Sequence, residues 1–208
     1  MKITFLASLF LFLWAFRRIL RNNSRSLQEE QKAFWQRERE SNNVRKKPLN
    51  NLNYISIPLD KLPTKSHIDN EIIEDCVSTL TVLSERKIVN LTCISNTDLK
   101  LTYGTANITA LTEYDQNYTL LVATLQKWAD ALYALGDTED AQTLLEYAVS
   151  VDSDVSKTYS LLASIYEQNG ELSKITSLIE TAQRLSSPSS KIIVRKLQET
   201  YPCTEFFD

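Results

Sequence analysis

The second half of the chain repeats itself at an interval of thirty-four residues. Gly136 and Gly170 are separated by this interval, and the residues around them match. The matching pairs are Ala129 with Ala163, Leu145 with Ile179, Ala148 with Ala182, and Val151 with Leu185. Small residues let two helices approach closely, and a glycine supplies the left-handed residue that ends the first helix of a pair. The period therefore predicts stacked helix pairs over residues 122–188.

The residue types at these offsets resemble those of the tetratricopeptide repeat family. The matching residues are Trp128, Ala129, Gly136, Ala141 and Ala148 in the first copy and Leu162, Ala163, Tyr166, Gly170, Ala182 and Pro188 in the second. The sequence departs from the family at Ile175, where the family has alanine, and at Ser153, where it usually has proline. The resemblance implies about two helix pairs, with Asp137 and Glu171 opening the second helix of each, where the helix dipole favours a carboxylate.

The resemblance also implies a binding surface on the first helix of each pair. The side chains that the register places there are Gln126, Asp130 and Tyr133 from the first copy and Lys157, Ser160, Ser164 and Glu167 from the second. Their expected ligand is a protein or peptide partner, and an ordinary solvated helix face is the alternative. They lack the basic and asparagine clamp with which some family members hold a C-terminal carboxylate, so chaperone docking is not implied.

Two helix pairs bury too little apolar surface by themselves, since roughly three are needed. Apolar spacing predicts a helix over residues 68–83, begun by Asp69 or Asn70, and a C-terminal capping helix over residues 189–200. Residues 96–115 indicate a polar helix, a break at Gly104 and a second short helix. Whether residues 87–115 form a third repeat stays open at this point.

An apolar segment at residues 3–16 predicts a transmembrane anchor within residues 1–20. The segment carries no charge and is followed by Arg17, Arg18, Arg21 and Arg25. It is shorter than the ~20 residues that usually span a bilayer, but flanking Lys2 and the arginines extend it. A cleaved leader is the alternative, although no small-x-small cleavage site follows. Because positive flanks stay on the cytoplasmic side, we expect a single-pass cell-membrane protein with a cytoplasmic C-terminal domain.

Residues 21–63 are expected to form a basic juxtamembrane helix and an extended linker. Residues 27–43 are rich in helix formers and charge, which predicts a helical stalk. After them, Pro48, Pro58 and Pro63 with alternating apolar residues predict an extended strap. Residues 17–47 carry ten Lys or Arg against four Glu, whereas residues 48–208 carry twelve against twenty-two Asp or Glu. The acidic domain is placed at residues 64–208, and its charge disfavours nucleic acid as a partner.

Few residues in the chain can support catalysis or hold a metal. The single histidine, His67, is expected on a solvated turn, and the three cysteines have no CxxC spacing. Three glycines are too few for a phosphate-binding loop, so we expect no enzyme, no cofactor, no metal and no small-molecule substrate. Four Asn-x-Ser/Thr triplets, at Asn22, Asn90, Asn107 and Asn117, would suggest a glycoprotein only on the other side of the membrane.

These features together predict an all-α protein: a transmembrane helix and stalk, then a helical-hairpin stack with a capping helix. The expected function is a membrane-anchored interaction module that recruits or scaffolds a protein partner. One alternative is a structural subunit of a membrane complex, in which the transmembrane helix and the Phe34-Trp35 part of the stalk make the specific contacts. A secreted helical-repeat protein with a cleaved leader is the other alternative.

Overall fold

The computed structural model describes residue 14, residues 17–18 and residues 28–202. This part of the chain is helical, and its only β-pairing is an isolated bridge between Tyr54 and Val89, so the prediction of an all-α protein is confirmed. The helices are α1 (28–42), α2 (Glu71–Ser84), α3 (Asn96–Tyr103), α4 (Ile108–Ala134), α5 (Thr138–Ser150), α6 (Ser156–Gln168), α7 (Leu172–Arg184) and α8 (Ser189–Thr200), with a short 3-10 turn at Thr105–Asn107.

The predicted anchor lies almost entirely outside the described residues. Of residues 3–16 only Trp14 is described. Among the residues that the structure does describe, no helix combines the length and the apolar character needed to cross a bilayer.

The chain divides into two compact units, and the first contains the described residues up to 48 together with residues 95–108. Within it the predicted stalk is helical, as α1, but it is not isolated, because it pairs with α3. Arg37 contacts Asp98 at 2.5 Å, and Glu38 accepts hydrogen bonds from Thr97 and Lys100. The sequence of the stalk did not predict this packing. Charged side chains on a helix can be solvated or ion-paired, and their pattern along the sequence does not distinguish the two.

Gly104 ends α3 at a point where no other residue fits. Its φ is +88° and its ψ is 148°, a region that is essentially restricted to glycine. A Cβ at this position would clash with the backbone of Arg45 and Lys46. The same stretch of backbone is held by Asn107, whose side-chain amide donates to the carbonyls of Lys47 and Tyr103, each at 2.7 Å.

The second unit contains residues 49–94 and the described residues from 109 onward, so the strap belongs to it from Leu49 onward. The strap is extended over residues 53–58 only, because it turns at residues 50–52 and again from residue 59. Ile57 and Leu62 are buried in the hydrophobic core. The turn that follows carries His67 at an exposed position, as expected, but it also makes contacts that the sequence did not predict. His67 Nε2 lies 3.1 Å from Asp137 Oδ2, and the Ser66 hydroxyl donates to Asp140, so this turn is fastened to the first turn of α5.

The helix boundaries of the second unit follow the thirty-four-residue interval. Helices α5 and α7 begin and end that far apart, and so do the last residues of α4 and α6. Both first helices end in the same way. Gly136 and Gly170 have φ of +84° and +72°, and the amides of Asp137 and Glu171 donate to carbonyls five residues earlier, at 3.0 and 2.8 Å. This pattern is a Schellman motif, which satisfies the last carbonyls of the helix.

Packing between the pairs uses the small residues that the repeat shares. Ala129, Ala163, Ala148 and Ala182 are all at most 1% exposed. Ser153, at the position where the family usually has proline, is fully buried, and the preceding Asp152 has a φ of +59°. Thus a left-handed aspartate ends α5 here, and its amide donates to the Val149 carbonyl at 3.0 Å.

Helix α8 packs against α6 and α7 and ends the stack. Ile193 and Leu197 face the core, whereas Lys196 is exposed. Counting back by the repeat interval, the residues equivalent to Lys196 are Leu162 and Trp128, which are both buried. The lysine keeps this part of α8 polar, as a terminal capping helix requires, whereas Ile192 on the same helix is 54% exposed.

The expectation of a short helix after Gly104 is wrong. A single helix, α4, extends for 27 residues from Ile108 to Ala134 and includes the first helix of the first repeat. No glycine or proline occurs between Thr105 and Leu135 to end it. Residues 87–115 therefore contain the eight-residue α3 and the beginning of α4, not a helix pair of repeat length.

Candidate functional site

Helices α4 and α6, and Tyr201 directly after the end of α8, present side chains at equivalent register positions. We call the surface formed by Tyr133, Ser160, Ser164, Glu167 and Tyr201 the first-helix face. Tyr133, Glu167 and Tyr201 are spaced by the repeat interval and form one row across it. The Tyr201 hydroxyl lies 3.4 Å from Glu167 Oε2, and Gln168 Nε2 donates to the Tyr133 hydroxyl at 3.0 Å. Tyr201 is therefore bonded to Glu167 directly, whereas Tyr133 is bonded to Gln168, the residue that follows Glu167.

Three of the seven predicted residues belong to an interhelical network beside this row. Gln126 Nε2 donates to Asp130 at 2.9 Å, and its Oε1 accepts from the buried Thr158 hydroxyl at 2.7 Å. Lys157 Nζ lies 2.6 Å from the other Asp130 oxygen. Gln126 is only 8% exposed, so its amide joins α4 to α6 and has little surface to offer a partner.

The other predicted residues differ in exposure. Glu167 is exposed, and Tyr133, Ser160 and Ser164 are half-buried. The Ser160 hydroxyl donates to the Ser156 carbonyl one turn earlier, at 3.1 Å. This bond leaves the oxygen of Ser160 with acceptor capacity toward an approaching ligand.

Tyr201 belongs to this face but is absent from the residues predicted from sequence. The signal that could have identified it is its distance from Tyr133, which is two repeat intervals. Burial, and next the neighbouring Glu167 carboxylate, raise the pKa of the Tyr201 phenol. The phenol therefore stays neutral at physiological pH and remains a hydrogen-bond donor.

Burial raises the pKa of two further side chains of the second unit, Cys76 and Tyr166. Burial raises the pKa of the Cys76 thiol, which lies in the core, whereas Cys93 is exposed. Tyr166 donates to Glu146 at 2.9 Å, and burial raises its pKa as well. Within residues 28–202, no group of three His, Cys, Asp or Glu side chains is placed to hold a metal ion.

Two of the four Asn-x-Ser/Thr triplets begin at buried asparagines. Asn107 is 2% exposed and Asn117 is 5% exposed. Each donates its side-chain amide to backbone carbonyls, Asn117 to that of Lys87 at 3.0 Å. In the folded protein these amides are therefore committed to internal hydrogen bonds.

Comparison with known proteins does not extend these findings: no family model, no curated protein and no solved structure matches this sequence.

Proposed function

We propose that this protein is a single-pass membrane protein whose helical-repeat domain binds a protein or peptide partner and recruits it to the membrane. The observation that carries the proposal is the row formed by Tyr133, Glu167 and Tyr201. Three partly or fully exposed side chains at one register position form a regular surface across successive helices. Repeat proteins bind extended partners on surfaces of this kind, because the repeat sets a constant spacing between contacts.

The proposed contacts are fewer than the seven residues predicted from sequence. Tyr133, Ser160, Ser164 and Glu167 supply the surface, and the Lys157 side chain, 63% exposed, lies beside them. Gln126 and Asp130 are given a supporting role, since their hydrogen bonds hold α4 against α6. A tyrosine with a half-buried ring and a polar hydroxyl is the kind of residue that dominates binding energy at protein interfaces.

Membrane anchoring by residues 3–16 is the second part of the proposal, and it depends on the sequence. The uncharged segment and the four arginines that follow it favour an anchor with the repeats on the cytoplasmic side. The described part of the chain after residue 48 is acidic overall, which favours its separation from an anionic membrane surface.

A comparison of variants in the full-length protein, purified in detergent, tests the proposal. Replacing Tyr133 and Glu167 with alanine is expected to abolish co-purification of the partner. Because Tyr133 is half-buried against the core, some loss of stability is expected as well, and the melting temperature must show that the variant is still folded under the assay conditions. The matched control is the pair Glu139→Ala and Glu180→Ala, on exposed surfaces of α5 and α7. Equal recovery of the same partner by both double variants would exclude the first-helix face.

A structural subunit of a membrane complex is the second candidate, and one observation favours it. Phe34 and Trp35 on α1 are 55% and 59% exposed, and their rings meet edge to face at 5.3 Å. Exposed aromatic pairs on an otherwise charged helix are typical of interaction sites. If Phe34→Ala with Trp35→Ala loses the partner and the variant of the first-helix face keeps it, this second function replaces the first.

A further inference from the structure

A groove on α8 extends the first-helix face onto the last helix that the structure describes. It has a volume of about 710 Å³ and lies between α8 and the turn that joins α7 to α8. We call it the α8 groove. Its lining on α8 includes Lys191, Val194 and Gln198. These residues follow three members of the predicted binding surface on α6 by one repeat interval: Lys157, Ser160 and Ser164.

The base of the α8 groove is apolar. Leu185 and Val194 are half-buried and pack against the hydrophobic core, and Pro188 lines the groove beside them. The buried Ser190 hydroxyl is already satisfied, because it donates to the Ala182 carbonyl at 2.7 Å. A ligand therefore gains most by placing an apolar side chain on this base.

Both charged side chains that line the α8 groove are cationic. They are Lys191 and Arg195, and no Asp or Glu of the described chain lines it. Asp154, which accepts the Ser187 hydroxyl at 2.5 Å, lines a neighbouring cavity instead. Arg195 lies 3.8 Å from Glu199, but both side chains are more than 70% exposed, so this pair is weak. The groove is thus locally positive on a domain that is acidic overall.

The equivalent lysine on the preceding first helix shows which group such a cation binds. Lys157 Nζ lies 2.6 Å from Asp130. One repeat interval later, Lys191 stands in place of Lys157, whereas Ser164 stands in place of Asp130. Lys191 forms no ion pair with any residue that the structure describes. A carboxylate supplied by a ligand can therefore take the position that Asp130 holds against Lys157.

We propose that the α8 groove binds a segment of the protein partner in which an acidic residue adjoins an apolar one. The carboxylate pairs with Lys191 and Arg195, and the apolar side chain packs on Leu185 and Val194. This assignment rests on the proposed function, because the groove continues the first-helix face, and it adds the chemistry of the partner. A protein segment fits better than a membrane surface, since attraction to lipid uses clusters of about 4–8 Lys or Arg and the groove has two.

Selection from a random library of displayed nonapeptides tests the proposal on the full-length protein in detergent. The wild type is expected to enrich peptides that carry Asp or Glu next to an apolar residue. The variant Lys191→Glu with Arg195→Glu is expected to enrich Lys or Arg instead, because both charges of the groove are reversed. The proposal is overturned if the wild type enriches no acidic peptide, or if both proteins enrich the same ones.

A labelled peptide from the wild-type selection then locates the site by fluorescence anisotropy. Lys191→Glu should weaken its binding about fivefold, since an attraction becomes a repulsion. Lys196→Glu makes the same charge change on α8 outside the groove and should alter binding by less than about twofold.

A second pair of variants tests the apolar base. Val194→Ser should weaken binding of the same peptide about tenfold, whereas Ile192→Ser, at an exposed position outside the groove, should leave it unchanged. Melting temperatures show whether each variant is folded, and if Val194→Ser is not, the two lysine variants decide. Equal effects of Lys191→Glu and Lys196→Glu would overturn the proposal.

Two other occupants are separate outcomes, and either would overturn the proposal. Peptide binding that appears only after residues 203–208 are removed would assign the groove to the chain itself. Displacement of the peptide by phosphatidylserine added to the micelles would assign the two cations to a lipid headgroup.

Failure of the groove can be told apart from failure of the proposed function. If Tyr133→Ala with Glu167→Ala loses the natural partner while the Lys191 variants select the same peptides as the wild type, only the groove is wrongly assigned. If the Lys191 variants reverse the selected charge while Tyr133→Ala with Glu167→Ala keeps the natural partner, only the first-helix face is.

Discussion

The Tyr147 hydroxyl donates a hydrogen bond to the Ser56 carbonyl, and this contact joins residues 91 positions apart in the chain. It fixes the strap on α5 at one end, as the contacts of Ser66 and His67 do at the other. Burial raises the pKa of the Tyr147 phenol to about 12, so the folded protein favours the neutral phenol that makes this bond.

The Tyr147 pKa predicts a loss of stability at alkaline pH. A phenol whose pKa is raised on folding stabilises the protein fully below its unfolded pKa of about 10. That contribution is lost as the pH rises through the folded value of about 12. The free energy of unfolding in urea, measured from pH 9 to pH 12, should fall less steeply for Tyr147→Phe than for the wild type. If the free energy of unfolding falls equally steeply in both proteins, ionisation of Tyr147 does not contribute to the pH dependence of stability.

The closely packed alanine positions predict a large difference between two substitutions on α5. Ala148 is 1% exposed at a helix crossing, so Ala148→Trp should cost on the order of 1 to 3 kcal/mol of stability. Glu139 is exposed, and Glu139→Gln should change stability by less than about 0.5 kcal/mol. Thermal denaturation compares them directly, and equal shifts in Tm would contradict the repeat register.

The glycines predict a second contrast. Gly136 has positive φ but open space around it, so Gly136→Ala should cost about 1 to 2 kcal/mol for the left-handed backbone alone. Gly104→Ala adds a clash with the Arg45 backbone and should disrupt the turn after α3. Hydrogen exchange at the amide of Lys47, which donates to the Tyr103 carbonyl at 2.9 Å, reports on that turn. If this amide remains as protected in Gly104→Ala as in Gly136→Ala, the close approach at Gly104 is incorrect.

The proposed orientation predicts the behaviour of a fused reporter. An enzyme that is active only outside the cytoplasm should be silent when attached after Asp208, because the four arginines retain this side of the chain. Changing Arg17, Arg18, Arg21 and Arg25 to asparagine and adding N-terminal lysines should invert part of the population. If the reporter is active on the unchanged protein, the proposed cytoplasmic location of the C-terminal domain is wrong.

The helical repeat could be predicted from sequence because its signals are local. Gly136 and Gly170, and the alanines near them, each act within their own helix pair. The structure shows the corresponding helix boundaries and buried positions. The helix α8 was likewise predictable from its apolar spacing. These features depend on contacts between residues close in the chain, for which sequence periodicity carries most of the information.

The contacts between distant segments were not predictable in the same way. His67 lies on an exposed turn, as expected, but its contact with Asp137, seventy positions later, was not predictable, because nothing near His67 in the chain offers a partner. Glu38 and Lys100 are 62 positions apart, and from the sequence each is expected to be an ordinary solvated charge on its own helix. At the candidate site, Gln126 was assigned to a binding surface because helical register gives direction but not burial. The side chain of Gln126 is buried, and the Thr158 hydroxyl that donates a hydrogen bond to it lies on another helix.

The most direct test of the proposed function is site-specific photocrosslinking in the full-length protein in its membrane. A photoreactive amino acid is placed in turn at positions 133 and 167 on the first-helix face, at position 139 on α5, and at position 35 on α1. The proposal predicts that positions 133 and 167 capture the same discrete protein and that position 139 captures none. Capture from position 35, with none from 133 or 167, would contradict it and assign the specific contacts to α1.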